Sequence, residues 1–274
     1  MFFRLCNSPA MFQTMMNEIF TDMEDVVVVY IDNIMIFTKG SLTEHQAKVK
    51  EVLQRLHDND LFAHPEKCSF DKTEVEYLGM FVNQNGIHMD DSKVKAITEW
   101  PTPTMVCSIR SFLVLANLYR HFIKDYAMLV KPLTDLTQKD KPFTWGSVEA
   151  NTFSSLKSQF TTAPILTYPD NNCQFRLETD ASDFTTGAVL SILKDNKWHP
   201  VAFSSHAMSP EERNYLVVDK EMLSVIRALE QWRHYLEGAV TLFLSYPCIS
   251  FTLTHPCLLF ALSSCFFLTH RLSH

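Results

Sequence analysis

The residues with the clearest capacity for chemistry are Asp32 and Asn33, which sit between the apolar runs Val26-Val27-Val28-Val29-Tyr30-Ile31 and Ile34-Met35-Ile36-Phe37. A carboxylate at that junction can offer anionic oxygen to a hard cation. Asn33 can offer a carbonyl oxygen but no charge. The competing reading is plainer: both residues suit the positive φ of a tight hairpin turn, and that alone accounts for Asn33.

The surrounding elements must hold that tip in place. Four consecutive valines cannot form a solvated face, and β-branched residues are stiff in helices, so Val26 to Tyr30 is predicted as a strand buried on both sides. Ile34 to Thr38 is its return partner. Upstream, Ser8-Pro9 suits a helix start, and Phe12, Met15, Met16 and Ile19 recur along one helical face that would pack beneath the hairpin. Downstream, Ser41-Leu42-Thr43-Glu44 is a capping box, followed by the stripe Val49, Val52, Leu53 and Leu56. Val75 to Val82 and Ile87 to Met89 read as strands with a turn at Asn85-Gly86.

Pro101 and Pro103 must stop the helix predicted from Ser92 to Trp100. Beyond them Ile109, Phe112, Leu113 and Ala116 form a buried stripe, with Arg110 and Arg120 on its flank, and Lys131-Pro132 is expected to break the next segment. A second domain follows Pro164 and Pro169. Its predicted strands are Phe175 to Thr179, ending in Asp180, then Gly187 to Leu193 and Trp198 to Ser204. Ser209-Pro210-Glu211-Glu212 caps helical structure, and Glu221 lies in a long helix from Val218 to Leu236 whose apolar face includes Met222, Ile226 and Leu229.

Tyr30-Ile31-Asp32-Asn33 resembles the Tyr-x-Asp-Asp palm signature of reverse transcriptases, with its last residue changed. The likeness is wider than four residues. Met1 to Gln13 resembles the preceding palm segment of gypsy-type LTR retrotransposon Pol polyproteins. Glu76-Tyr77-Leu78-Gly79, Ser111 to Asn117, Leu177 to Ser182 and Trp232 to Leu236 are similar to blocks that follow there in the same order. The implied fold is α+β: a partial reverse-transcriptase palm (1–90), thumb and connection helices (91–168), and the start of a truncated ribonuclease H-like α/β domain (169–239). A tail at 240–274 is expected to be unrelated.

The resemblance implies RNA-directed DNA synthesis coupled to cleavage of RNA:DNA hybrids, with Mg²⁺ held by Asp32 in one half and by Asp180 and Glu221 in the other. It places Gln13, Tyr30 and Asn33 at the nucleotide pocket and Tyr77, Leu78 and Gly79 at the primer end. Arg110, Arg120 and Lys124 would meet the backbone of a template-primer duplex, and other Pol segments are implied as partners. Departures are visible too. Arg4 and Val114 stand where the family has glycine, and Asn33 leaves one anionic ligand where the polymerase site takes three. Past Val240 the family's strand carrying Thr-Asp-His is not found, so two further nuclease carboxylates and a central strand are expected to be missing. The expectation is therefore an inactive fragment; the alternative is a non-catalytic nucleic-acid-binding module.

The formal net charge of -7 argues against a generally basic nucleic-acid binder, although a local basic face would suffice. Pro101 to Ser147 holds six Lys or Arg against three Asp, which marks either a phosphate-contacting surface or an ordinary solvated one. Seven cysteines without a Cys-x-x-Cys pair argue against a zinc site and a disulfide framework. With no charged leader before an apolar core, a cytoplasmic or nuclear location is expected. The segment from Val240 has no Asp, Glu or Lys and a single Arg. Its prolines and histidines make a poor membrane span.

Overall fold

The computed structural model describes residues 7–139, 141–246 and 249–254, so Arg4 and the end of the tail lie outside the described residues. The chain divides into two compact units, Met1–Gln84 and Asn85–His274.

In the first unit, helix α1 (Ser8–Ile19) is followed by the hairpin of β1 (Val27–Tyr30) and β2 (Asn33–Ile36), then by α2 (Leu42–Asp58) and a second hairpin, β3 (Glu74–Tyr77) and β4 (Met80–Asn83). The N-cap of α1 is Asn7 rather than Ser8, with proline in the first turn. Met16, Phe20, Met23, Val27, Val52 and Leu56 form the buried core, with Phe12, Met15, Ile19 and Val29 packed against it. Burial along β1 alternates: Val27 is buried while Val28 is 38% exposed. Both-sided burial is thus not found, because a two-stranded hairpin has only its α1 side to pack on. Leu53 likewise faces outward. The capping box of α2 is present, with the Ser41 N–H donating to Glu44 Oε2 at 2.9 Å and the Glu44 N–H to Ser41 Oγ at 3.4 Å. Val75 to Val82 is two strands rather than one, since Leu78 (φ 53°) and Gly79 (φ 78°) turn the chain and pair Tyr77 with Met80.

The second unit begins with β5 (Gly86–Met89) and α3 (Asp91–Thr98). Ile87 and Leu166 exchange backbone hydrogen bonds of 2.8 and 2.9 Å. Gly86 allows that approach, because a Cβ there would sit 2.1 Å from the Leu166 carbonyl oxygen. Helices α4 (Val106–Leu118), α5 (Tyr126–Asp135) and α6 (Ser147–Thr161) follow. Trp100 and Phe112 meet edge to face at 5.9 Å, and Phe153 stands 4.7 Å from Phe112. Lys157 ties α6 to the end of α3 by donating to the Thr98 carbonyl at 2.9 Å. Pro132 does not end α5 but lies inside it. The carbonyl that a helical proline leaves unpaired is that of Met128, an exposed residue.

The sheet of this unit has the order β10-β9-β6-β7-β8, from β6 (Phe175–Ala181), β7 (Thr185–Lys194), β8 (Lys197–Ala207), β9 (Thr241–Tyr246) and β10 (Ile249–Thr254). The strand expected to be missing is therefore present: β9 pairs parallel with β6, Leu242 opposite Phe175 and Leu244 opposite Leu177. Full burial of each of those leucines is worth about 1.5–3 kcal/mol. Across the sheet lies α7 (Val217–Gln231), with Val225, Ile226, Ala228 and Leu229 inward. Met222 is exposed, and the chain breaks at Trp232 before the short α8 (Arg233–Leu236), so the predicted helix is two. Among the described residues no helix is long and apolar enough to cross a membrane.

In the first unit Arg55 grips Asp22, with Nη2 2.7 Å from Oδ2 and Nη1 on Oδ1. That hydrogen bond holds the Asp22 carboxyl at a pKa of about 2, below its usual range. Its stabilising contribution is present above the ordinary carboxylate pKa and is lost as pH falls toward 2. Asp22→Asn should therefore lower the melting temperature of this unit at pH 7, with the difference from the parent shrinking between pH 4 and pH 2, as followed by circular dichroism.

Candidate active-site residues

At the hairpin tip, Tyr30 pairs with Asn33, leaving Ile31 and Asp32 as the two turn residues. The left-handed residue is Ile31 (φ 53°), not Asp32 or Asn33 as the turn chemistry suggested. A β-branched residue is disfavoured there, and Gln13 offsets the cost. Its Oε1 accepts from the Ile31 N–H at 2.6 Å and its Nε2 donates to the Val29 carbonyl at 3.2 Å. Gln13 thus reaches from α1 to clamp the tip, a role that a lone glutamine on a helix did not announce. Tyr30, Asp32 and Asn33 are exposed at this end of the hairpin. Of the primer-end trio, Leu78 and Gly79 form the second turn, and the Tyr77 hydroxyl is buried without a hydrogen-bond partner.

In the second unit Asp180 lies near the end of β6, opposite Gly187 of β7. Glu221 is on the first half of α7. Its carboxyl accepts from the Ala181 backbone, while Oε2 is buried without a partner; burial, then the charge of Asp180, push its pKa up. Sequence reasoning missed a third carboxylate, Asp125. It sits in the left-handed region (φ 53°) as the N-cap of α5 and makes no side-chain cap bond. Its Oδ1 occupies the space beside Gly187, 2.4 Å from where a Cβ would be. Burial raises its pKa; Lys124 opposes and Asp180 adds to that shift. The only local signal was an aspartate, a residue type tolerant of positive φ, between Lys124 and Tyr126.

Asp183 accepts from the buried Lys220 ammonium at 2.9 Å and so fastens the loop after Asp180 to α7. Among the described residues no set of three or more His, Cys, Asp or Glu converges closely enough to hold a metal ion. The tip offers Asp32 beside a neutral Asn33, and the unpartnered Oε2 of Glu221 has Asp180 as its neighbour without closing a ligand set. Among the described residues, neither unit presents a closed set of Mg²⁺ ligands. Arg110, Arg120 and Lys124 are all exposed, and Arg110 donates to the Thr137 carbonyl at 3.0 Å.

Residues 5–82 match the family model described as reverse transcriptase (RNA-dependent DNA polymerase), and residues 145–243 the RNase H-like domain found in reverse transcriptase. The chain belongs to the LTR-retrotransposon Pol family. The retrovirus-related Pol polyprotein from transposon opus of Drosophila melanogaster is 39% identical over 252 residues, which is 88% of this chain and 25% of that protein. The transposon Tf2-7 polyprotein of Schizosaccharomyces pombe is 37% identical over 238 residues, 86% of this chain and 18% of its own length. This Pol chain thus spans a quarter or less of those relatives. Among solved structures, the foamy viral protease-reverse transcriptase in complex with RNA/DNA hybrid matches with a TM-score of 0.77 at 22% identity, covering 91% of this chain and 34% of that one. Its complex with dsDNA matches at 0.73 and 22%, covering 89% and 51%. At that identity the likeness is one of fold.

Removing the Gln13 clamp by Gln13→Ala should cost about 1–2 kcal/mol and abolish hydrogen-exchange protection at the Ile31 amide, while the amides of α2 keep theirs. In the second unit, Asp125 has a raised pKa in the folded state, so its ionised form is disfavoured and the penalty grows as pH rises through the carboxylate range. Asp125→Asn keeps a side chain suited to positive φ. Melting curves should show it stabilising this Pol chain at pH 7.5 and neutral at pH 3.5.

Proposed function

We propose that this chain is a duplex-binding segment of a Pol polyprotein that no longer catalyses either reaction of its family. The observation that carries this reading is β9. It lies parallel beside β6, the strand of Asp180, yet Thr241–Tyr246 contains no carboxylate. Two divalent ions across a scissile phosphate require more anionic oxygen than Asp180 and Glu221 supply. The hairpin tip repeats the deficit, because Asn33 brings no charge to Asp32.

Binding is better supported than turnover. The solved relatives of the same fold are complexes with an RNA/DNA hybrid and with dsDNA, and Arg110, Arg120 and Lys124 are exposed on the helical part of the second unit. We assign 1–90 to the C-terminal part of the palm, 91–168 to thumb and connection, and 169–239 to the first part of the ribonuclease H-like domain, whose sheet continues through β10. Phosphate contacts from those three cations would give affinity without sequence preference.

The test uses a fluorescent RNA:DNA hybrid and the full chain. Anisotropy should report binding that weakens steeply with salt, and the triple substitution Arg110→Ala, Arg120→Ala, Lys124→Ala should reduce the log–log salt slope by roughly one unit per lost phosphate contact. Primer extension and hybrid cleavage should be absent in Mg²⁺ or Mn²⁺. Metal-dependent cleavage that vanishes in Asp180→Asn would restore the nuclease reading, and absence of any binding would remove the duplex reading.

A further inference from the structure

Phe184 lies in the loop between Asp180 and β7, and although aromatic it is 47% exposed. Two cations from elements distant in sequence gather on its ring. The Lys131 ammonium of α5 is 4.8 Å from the ring centroid, and the Arg213 guanidinium, from the 3₁₀ turn Glu212–Asn214, is 5.7 Å away. Such contacts hold a cation over an aromatic face with a gain of about 0.5–1 kcal/mol at exposed sites.

The arrangement is preorganised. Ser182 Oγ accepts from the Thr185 N–H at 3.0 Å and so closes the loop, and the Met208 N–H donates to the Phe184 carbonyl at 2.8 Å. Arg213 Nε in turn donates to the Met208 carbonyl at 3.2 Å. Glu212 is committed to Arg227 at 2.7 Å and Asp183 to Lys220 at 2.9 Å, while Lys131 is itself paired with Asp135 at 2.9 Å, which fixes its ammonium beside the ring. Among the described residues Arg213 forms no ion pair, so its terminal guanidinium nitrogens remain for an external anion.

We infer that Arg213, set in place by Phe184 and with Lys131 on the same ring, forms a contact for the phosphodiester backbone of a nucleic-acid strand running past Asp180. The inference rests on the duplex-binding reading and adds to it a second contact, separate from Arg110, Arg120 and Lys124. A guanidinium with free terminal nitrogens matches a phosphate through paired N–H donors. The exposed ring beside it offers apolar surface to a sugar or base edge.

Anisotropy titration of the full chain with an RNA:DNA hybrid separates the two readings. Arg213→Ala should weaken binding about three- to tenfold near 0.1 M salt and lower the salt slope by about one. Phe184→Leu should weaken it less, with a smaller change in slope, because charge is kept and only its placement is loosened. Unchanged affinity and slope in Arg213→Ala, with the parent still binding, would overturn this contact alone; no binding by the parent would overturn the duplex reading itself. A wild-type measurement guards against misfolded variants. The hybrid should protect Arg213 from phenylglyoxal, and undiminished modification at saturating hybrid would also overturn the contact.

Discussion

A strand pairs the backbone groups on both of its edges only when it has a neighbour on each side, and β6, antiparallel to β7, depends on β9 for the other neighbour. Phe175 and Leu177 are fully buried because Leu242 and Leu244 stand beside them and α7 crosses their face. The ends of β6 and α7, where Asp180 and Glu221 sit, take their places from that packing. So does Gly187, whose missing side chain admits Asp125. The framework of the nuclease-like half is thus complete to a degree that its acidic complement is not.

Electrostatics in the second unit follow from this. Glu221 and Asp125 are each disfavoured as anions first by burial and then by Asp180, the pattern in which desolvation plus a like charge marks a site built for something other than stability. Two less exposed cations of this unit are paired: Lys220 with Asp183, and Arg227 with Glu212. Near the end of β6, Thr179 Oγ1 and Glu221 Oε2 are buried without a hydrogen-bond partner.

Much of the architecture was legible from periodicity and capping. The α1 face of Phe12, Met15, Met16 and Ile19, the Ser41 capping box and the Ile109, Phe112, Ala116 stripe all depend on spacing within one element, and they appear where spacing puts them. Properties that depend on a distant partner were not legible. Val28 is exposed because, among the described residues of its unit, the core lies on the other face of the hairpin. Asp125 joins Asp180 only through the fold. Thr241 to Tyr246 was set aside because it lacks a familiar motif, although its alternating Leu242 and Leu244 are what a sheet strand needs. Ile31 shows the same limit at the tip, since its positive φ is imposed by a glutamine from another element.

The Gln13 clamp ends on backbone atoms of Val29 and Ile31, not on the side chain of residue 33. The shape of the turn is therefore indifferent to whether that residue carries a charge. In this hairpin the backbone shape of the tip and the charge the tip presents are set by different residues.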